Sequence, residues 1–267
     1  MVSDTARETY LLLGGEDIAP VFERNSGGRS PFLLVSDHFG SELPRRLGNL
    51  GLSEGELVRH IAWDIGIAGV ATALSDRLDA HLIAQNYSRL VIDCNRPPHV
   101  EGSIPAISET TGVPGNEGLA DSAIAARRRE VFDPYHRRIS DAIDRRERSA
   151  LPSVLVALHS FTPVYKGIAR PWHVAALYRN GGPLPPLLLQ ALRAEGDLVV
   201  GDNEPYSVGE ETDYTIPVHG EGRGLINTGI EIRQDLIADA TGQRQWAERL
   251  ARILLGIEAT LRGKRLI

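Results

Sequence analysis

Three features are scarce or missing in this sequence: cysteine, long apolar runs and an excess of positive charge. Its 267 residues include a single cysteine, Cys94, so no disulfide can form within the chain and a reduced, cytoplasmic setting is expected. No run comes near the roughly 18 uninterrupted apolar residues of a membrane-spanning helix. The first ten residues lack the basic and apolar regions of a secretory signal peptide, so none is expected.

The charge balance is mildly acidic, with a formal net charge of −6 and a pI near 5.8. Nucleic acids and anionic membranes attract basic proteins, so neither is expected as a main partner.

Length and composition indicate one large α/β domain. With 42% hydrophobic and 24% charged residues, the chain can bury a sizeable core. We find no internal repeat, linker or shift in composition, and therefore predict a single domain over residues 1–267. Residues 1–30, which contain Gly14-Gly15 and Gly27-Gly28, are expected to form a loosely structured lead-in.

Apolar runs and periodic patterns predict strands that alternate with helices. Continuous apolar runs ended by turns are typical of strands buried on both faces of a sheet. Such alternation predicts a mostly parallel or mixed sheet covered on both faces. The predicted strands are 31–36, 81–85, 88–93, 153–158, 173–178, 198–200 and 228–233. The predicted helices are 64–78, 121–148 (kinked or split at Pro134), 187–195 and 243–261, and residues 97–118 and 201–225 are two long loops.

Polar side chains fall at strand ends, where open α/β sheets bind ligands. His38 follows the first strand in LLVSDHFG, His159 follows SVLVAL, and Glu231 interrupts the apolar strand in TGIEIRQDL. Two histidines with carboxylates form the ligand set of a catalytic zinc site, which keeps one position for water. The metal lowers the pKa of that water to about 7, and a nearby carboxylate then takes its proton. Glu231 is the candidate base, because a carboxylate inside an apolar strand needs a partner or a task.

Several of these residues also have structural interpretations, which the sequence leaves open. His38 is a metal ligand or a turn histidine, and Asp64, in RHIAWDIG, is a ligand or a helix cap. Arg96 contacts substrate or lies on the surface. Asp93 is also expected to pair with Arg89 or Arg96, Glu231 could pair with Arg233 or a helix arginine, and Cys94 is interpreted as a small buried hydrophobe. Five histidines are interpreted as structural or surface residues: His60, His81, His99, His136 and His173.

Taken in order, these segments resemble the N-formylglutamate amidohydrolase family over most of the chain. The resemblance runs from SDHFGSELP through HIAWDIG, YSRLVIDCNRPP, ALHSFTP, DNEPYS and VHGEGRG to IEIRQDL, and its most specific part is Tyr87–Pro97. It implies a three-layer α/β/α fold with a central mostly parallel or mixed sheet, phosphorylase/hydrolase-like as in zinc exopeptidases. It also implies zinc-dependent cleavage of an N-acylated acidic amino acid, such as N-formylglutamate in histidine degradation.

The resemblance also implies roles for individual residues. Metal ligands fall on His38, Asp64 and His159, and the catalytic glutamate falls on Glu231. The planar fork of an arginine suits a substrate carboxylate. Asn95 and Arg96 are the implied contacts of the substrate carboxylate, and Arg89 is a second candidate. Asn203, Tyr206 and His219 are expected on loops at the substrate side. His219 is the predicted catalytic residue that donates a hydrogen bond to the oxyanion.

The sequence departs from the family pattern beside the first histidine. Asp37 precedes His38 where better-known members have proline, and Ser41 stands where carboxypeptidases place a second ligand. Glu42 is therefore an alternative to Asp64, which we prefer because it matches a family motif. The surroundings of Phe39 and Phe161 are more apolar than recognition of free glutamate requires. The identity of the substrate is therefore less well predicted than the type of reaction.

We therefore predict a metal-dependent amidohydrolase acting on a small N-acyl amino acid with a linear amide, with one Zn²⁺ per chain. Other divalent ions fit the same ligands. The alternatives are an amidohydrolase or peptidase of a different carboxylate-bearing amide, and a non-catalytic ligand-binding homologue. A cysteine hydrolase acting through Cys94 is the weakest of them. The sequence predicts neither the acyl group and amino acid nor the pathway and oligomeric state.

Overall fold

The computed structural model of this chain describes residues 10–267, in which strands and helices alternate. The strands are β1 (Val21–Arg24), β2 (Phe32–Ser36), β3 (His81–Gln85), β4 (Ile107–Ser108), β5 (Thr111–Gly112), β6 (Val154–Phe161), β7 (Val164–Tyr165), β8 (Ile168–Ala169), β9 (Val174–Leu177), β10 (Val200–Asp202) and β11 (Ile226–Arg233). The helices are α1 (Glu54–Leu57), α2 (Ile67–Leu78), α3 (Asp121–Arg127), α4 (Asp133–Arg148), α5 (Leu184–Ala194) and α6 (Ala240–Gly263).

Seven strands form one mixed sheet in the order β1-β3-β2-β6-β11-β9-β10. The four central strands β3, β2, β6 and β11 are parallel. At one edge β1 is antiparallel to β3, and at the other β9 and β10 run parallel to each other but antiparallel to β11. The strand pairs β4–β5 and β7–β8 form separate small hairpins. The predicted mostly parallel or mixed sheet is thus confirmed.

Alternate residues of each central strand face opposite sides of the sheet, as the period of two in a strand requires. In β2, Phe32 and Leu34 pack in one core with α2, α5 and α6. Leu33 and Val35 pack in a second core with α3 and α4. All four side chains are fully buried. Helices therefore cover both faces of the sheet, which confirms the predicted three-layer α/β/α arrangement.

Several predicted elements have different limits. Strand β6 continues beyond residue 158 to Phe161, and β10 begins two residues later than predicted. The long helical segment divides into α3, a π-helical turn (Arg128–Phe132) and α4. Pro134 lies in the first turn of α4, where its missing N–H does not interrupt the helix.

The predicted strand 88–93 is wrong, because these residues form a series of turns. Arg89 Nη2 donates to Asp93 Oδ2 at 2.6 Å. Residues four apart on an extended strand are separated by about 13 Å, so a strand would keep these two side chains apart. The local ion pair therefore accompanies a turn.

Residues 1–9 of the predicted lead-in lie outside the described residues. The rest of it is not uniformly loose, since β1 pairs with β3 and places Val21 opposite Gln85. The single-domain organisation stays a prediction. Among residues 10–267, no helix is both long and apolar enough to cross a membrane.

Candidate metal centre and active site

The parallel strands β2, β6 and β11 bring the polar residues together at their carboxyl ends. Glu231 on β11 lies in register with His159 on β6. Residues that pair on parallel strands face the same side of a sheet, so both side chains point away from the core that holds Ile230 and Ile232. His38 follows the end of β2, directly beside β6. Side chains alternate between the two faces of a strand, so Glu231 faces His159 at the site while its neighbours Ile230 and Ile232 face the core. This explains why a glutamate occurs within an apolar strand.

Two glycines permit close backbone contacts around the first histidine and the aspartate. A Cβ on Gly40 would lie 2.0 Å from the carbonyl oxygen of Asn86, so the turn after His38 packs against the end of β3 only with glycine. Gly66 has φ +81° and equally close contact with the Ile237 carbonyl. It begins α2 just after Asp64. These contacts fix the chain on both sides of the site.

His38, Asp64 and His159 form a buried group whose ligand atoms all lie within 4.8 Å of one another. His38 Nδ1 lies 3.5 Å from Asp64 Oδ1, and His159 Nδ1 lies 3.1 Å from Asp64 Oδ2. The Asp64 carboxylate does not cap α2, but accepts from the Ser160 backbone N–H at 3.1 Å. Both histidines therefore present Nδ1 to the same carboxylate, an arrangement that fits a metal ion.

The second ring nitrogen of each histidine faces a different aspartate. His38 Nε2 lies 2.7 Å from Asp93 Oδ1. His159 Nε2 lies 3.2 Å from Asp37 Oδ2. Asp37 is fully buried, and although burial raises its pKa, the neighbouring His159 lowers it to about 2. Each histidine is thus held between two carboxylates.

These carboxylates hold protons on the two histidines. Burial and the charge of Arg89 lower the pKa of His38, but Asp93 and Asp64 outweigh them, and the pKa is raised. Burial also lowers the pKa of His159, while the two neighbouring aspartates, Asp37 and Asp64, raise it well above its ordinary value. Metal ligands must lose such protons, so metal binding at this group releases protons and depends on pH.

Glu231 behaves differently from the aspartates. Its side chain is 6% exposed, and Oε2 has no hydrogen-bond partner among the described residues. Burial raises its pKa to about 7, although the charge of His159 opposes the shift. The alternative pairing with Arg233 is not formed, since Arg233 Nε donates to Asp235 Oδ1 at 2.8 Å. A carboxyl group with this pKa is suited to accept and return a proton near neutral pH.

A cavity of 670 Å³ opens over this group, and Glu231, Arg89 and Arg96 are among its lining residues. Arg89 donates from Nε and Nη2 to Asp93, and its Nη1 lies 3.7 Å from Asp64 Oδ1. Arg96 Nε lies 3.4 Å from Asp93 Oδ2. Among residues 10–267 no hydrogen bond engages its two terminal nitrogens, which leaves the end of the guanidinium available to a ligand. Asp93 thus has the predicted arginine pairing and also contacts His38.

Two other predicted substrate residues, Asn95 and Tyr206, line the cavity. The Asn95 amide oxygen accepts from the backbone N–H groups of Tyr214 and Thr215, and its nitrogen donates to Asp213. Most of its hydrogen-bonding capacity therefore holds the loop 213–215 rather than a ligand. The Tyr206 hydroxyl accepts from Arg170 at 2.8 Å and remains beside the cavity.

The structure does not bring the predicted donor His219 to the cavity. Its side chain is buried, with Nε2 3.0 Å from His136 Nδ1. Burial lowers the pKa of His219 to about 4, so the ring is neutral. Asn203 is also outside the cavity lining, because its side chain accepts from the Tyr178 backbone N–H. Glu42 is exposed and lies outside the His38–Asp64–His159 group.

Some cavity residues had no functional assignment from the sequence. His60, interpreted as structural, lines the cavity with Nε2 3.6 Å from Glu109. Glu109 belongs to the β4–β5 hairpin, and Tyr165 and Lys166 come from the β7–β8 hairpin. Strands of two residues leave no periodic signal, so these hairpins were not predictable. For His60, its place four residues before Asp64 was the available signal.

Cys94 is buried, as predicted for a small hydrophobe. Burial raises its pKa well above the ordinary value, so the reactive thiolate is disfavoured. It does not line the cavity.

The site is a buried His–Asp–His group beside a carboxyl of raised pKa, in a cavity at the carboxyl ends of parallel strands. Together with the fold it defines the class of this protein, a mixed α/β-sheet protein with a candidate metal centre beside a carboxyl suited to proton transfer. The chain belongs to the N-formylglutamate amidohydrolase family, whose family model matches residues 30–238. The family indicates an amidohydrolase, and the resemblance found in the sequence is confirmed.

Two solved structures are similar over nearly the whole chain. The gene product Atu2144 from Agrobacterium tumefaciens is 35% identical with a TM-score of 0.88, and the match covers 94% of this chain and 99% of that one. N-formylglutamate amidohydrolase from Ralstonia eutropha JMP134 is 20% identical with a TM-score of 0.67, and the match covers 92% of this chain and 100% of that one. The two proteins share the fold. No curated protein matches this chain.

Proposed function

We propose that this chain is a metal-dependent amidohydrolase that cleaves the amide bond of a small N-acyl amino acid such as N-formylglutamate. The observation that carries the proposal is the buried carboxyl of Glu231, which has an unpartnered oxygen and a pKa of about 7. It lines the same cavity as the His38–Asp64–His159 group. Membership of the amidohydrolase family supports amide hydrolysis as the reaction.

The donor set of two histidine nitrogens and one carboxylate oxygen fits Zn²⁺, which in catalytic sites takes three protein ligands and keeps one open position. We assign His38, Asp64 and His159 to hold the ion. When bound, it supplies Lewis acidity toward a water molecule and toward the amide carbonyl. Other divalent ions accept the same ligands, so a measurement of metal content decides the identity.

Glu231 acts as the general base and then as the general acid. Its carboxylate form takes a proton from the attacking water, and the resulting carboxylic acid returns that proton to the leaving nitrogen. Both forms are accessible near neutral pH because burial raises the pKa of Glu231 to about 7.

Arg89 and Arg96 bind negative charge at different places in the cavity. Arg89 Nη1 lies 3.7 Å from Asp64 Oδ1, so it faces the donor set and is placed to stabilise charge that develops on the amide oxygen. This is the role expected of His219 before its position was known. Arg96 offers two terminal nitrogens to a substrate carboxylate, and Tyr206 adds a hydroxyl to the cavity wall.

The first experiment measures metal content by elemental mass spectrometry and hydrolysis of a panel of N-acyl amino acids. We expect about one zinc per chain, lost in His159→Ala. Glu231→Gln should keep the metal and lose turnover, whereas Glu248→Gln on exposed α6 surface should keep both. A fully active Glu231→Gln enzyme would refute the role of the base.

The same panel separates the other functions. Hydrolysis of other amides but not N-formylglutamate would indicate a different linkage. Metal without hydrolysis of any substrate would indicate a binding protein. Absence of metal even after reconstitution with zinc would refute the metal site.

A further inference from the structure

Asp37 is a fully buried acid that the mechanism above does not use. Its Oδ1 accepts from the Thr215 hydroxyl at 2.6 Å, and its Oδ2 lies 3.2 Å from His159 Nε2. A carboxylate removed from water is costly unless hydrogen-bond donors satisfy it. Thr215 supplies a donor to Oδ1, whereas Oδ2 has no hydrogen-bond partner among the described residues, and His159 Nε2 is the ring nitrogen that lies beside it.

Strand geometry explains this contact. In the parallel pair of β2 and β6, Val35 lies opposite Ala157. Asp37 comes two residues after Val35, just past the end of β2, and His159 comes two residues after Ala157 in β6. The same pairing therefore places Asp37 and His159 opposite each other, on the same side of the sheet. The residue directly before the first histidine thus reaches the second one.

The two nitrogens of His159 have distinct surroundings. Nδ1 lies 3.1 Å from Asp64 Oδ2, within the donor set, and Nε2 lies against Asp37. A neutral imidazole carries one proton, and a nitrogen that binds a metal cannot carry it. With Nδ1 toward the metal, the proton is on Nε2, which lies beside the unpartnered Oδ2 of Asp37.

We propose that Asp37 is a positioning residue that accepts the Nε2–H hydrogen bond of His159 and fixes the ring so that Nδ1 faces the metal. Thr215 holds the Asp37 carboxylate in place through its other oxygen. The inference rests on the proposed metal site. Asp93 has the equivalent place behind His38, so each histidine has its own carboxylate. Carboxylates behind metal-bound histidines orient the ring and raise its basicity.

The test compares zinc affinity by competition with a chelator in the wild type, Asp37→Asn and Asp37→Ala. Loss of such a carboxylate costs about 10–100-fold in metal affinity, which is the decrease expected for Asp37→Ala. Asp37→Asn should bind zinc with intermediate affinity, because its amide oxygen still accepts the Nε2–H. Asp202→Asn is the control, since Asp202 is exposed on β10 and lies outside the cavity.

A second measurement does not need a folded variant. In zinc-loaded wild-type protein labelled with ¹⁵N-histidine, the His159 ring should show its proton on Nε2. A proton on Nδ1, or wild-type zinc affinity in a folded Asp37→Ala protein, would overturn the inference and leave the proposed function intact. A wild-type protein that binds no zinc would instead overturn the proposed function.

Discussion

Replacing Glu231 by glutamine should stabilise the metal-free fold at alkaline pH as well as abolish turnover. The folded-state pKa of about 7, against an ordinary value of 4.5, means that the fold disfavours the ionised carboxyl. Glutamine has nearly the same shape and no charge to bury. A residue kept for chemistry at the expense of stability behaves in this way.

Proton linkage determines the sign of the effect. The folded state holds the Glu231 proton more tightly than the unfolded chain does. The stability contributed by the protonated group is therefore fully present below pH 4.5 and is lost as the pH rises through about 7. At about 1.4 kcal/mol per pKa unit, the total is about 3 kcal/mol. The advantage of glutamine is then about 1 kcal/mol at pH 5 and about 3 kcal/mol at pH 8.

Urea denaturation of chelator-treated wild type and Glu231→Gln at the two pH values measures this difference. Most titrating groups behave alike in both proteins, so the comparison reports Glu231 together with its interaction with His159, whose pKa the Glu231 charge helps to raise. Glu248→Gln is the matched control, because the Glu248 side chain is 69% exposed and its replacement should show no comparable pH dependence.

An advantage of glutamine that is equal at both pH values, or greater at pH 5, would refute the reasoning about burial. A variant that is stabilised at pH 8 and still hydrolyses substrate would keep the burial argument and remove Glu231 from catalysis. The two readouts therefore test the environment and the role of the carboxyl separately.

Three further predictions concern the rest of the site. Arg96→Ala should raise KM for N-formylglutamate about 10–100-fold with kcat changed much less, as lost charge-assisted hydrogen bonds predict; steady-state kinetics check this, and an unchanged KM would contradict it. Zinc affinity should fall as the pH is lowered from about 8 to 6, because protons compete for His38 and His159, whose pKa values are raised; chelator competition showing no pH dependence would oppose this. Cys94→Ala should keep its activity, and a folded but inactive variant would return the thiol to the mechanism.

The central strands were predictable because both of their faces are buried. Such strands are apolar at nearly every position, and this continuous run is visible in the sequence without knowledge of the fold. Strand β3 occupies the predicted residues 81–85, and β11 includes the predicted 228–233. Strand β6 extends past its apolar run because His159 and Ser160 are buried at the site, where polarity no longer indicates exposure. The limits of an element are thus least predictable where function begins.

The placement of His38, His159 and Glu231 was predictable for a related reason, whereas Asp64 lies in the turn before α2 and was assigned through its family motif. Parallel strands end at one edge, so polar residues at their ends converge without knowledge of side-chain contacts. The position of His219 depends instead on its contact with His136, 83 residues away in the chain. No periodic pattern reports such a contact, so the sequence could not indicate that His219 packs against His136.

Asp93 shows why structural and functional interpretations of one residue need not compete. The sequence offered an ion pair with Arg89 or Arg96, and the structure contains both contacts together with one to His38. A carboxylate can orient a histidine only if it is itself held, and the arginines hold it while they remain beside the cavity. The ion pair is therefore a condition for the role rather than an alternative to it, and it couples the residues that face substrate to those that face the metal.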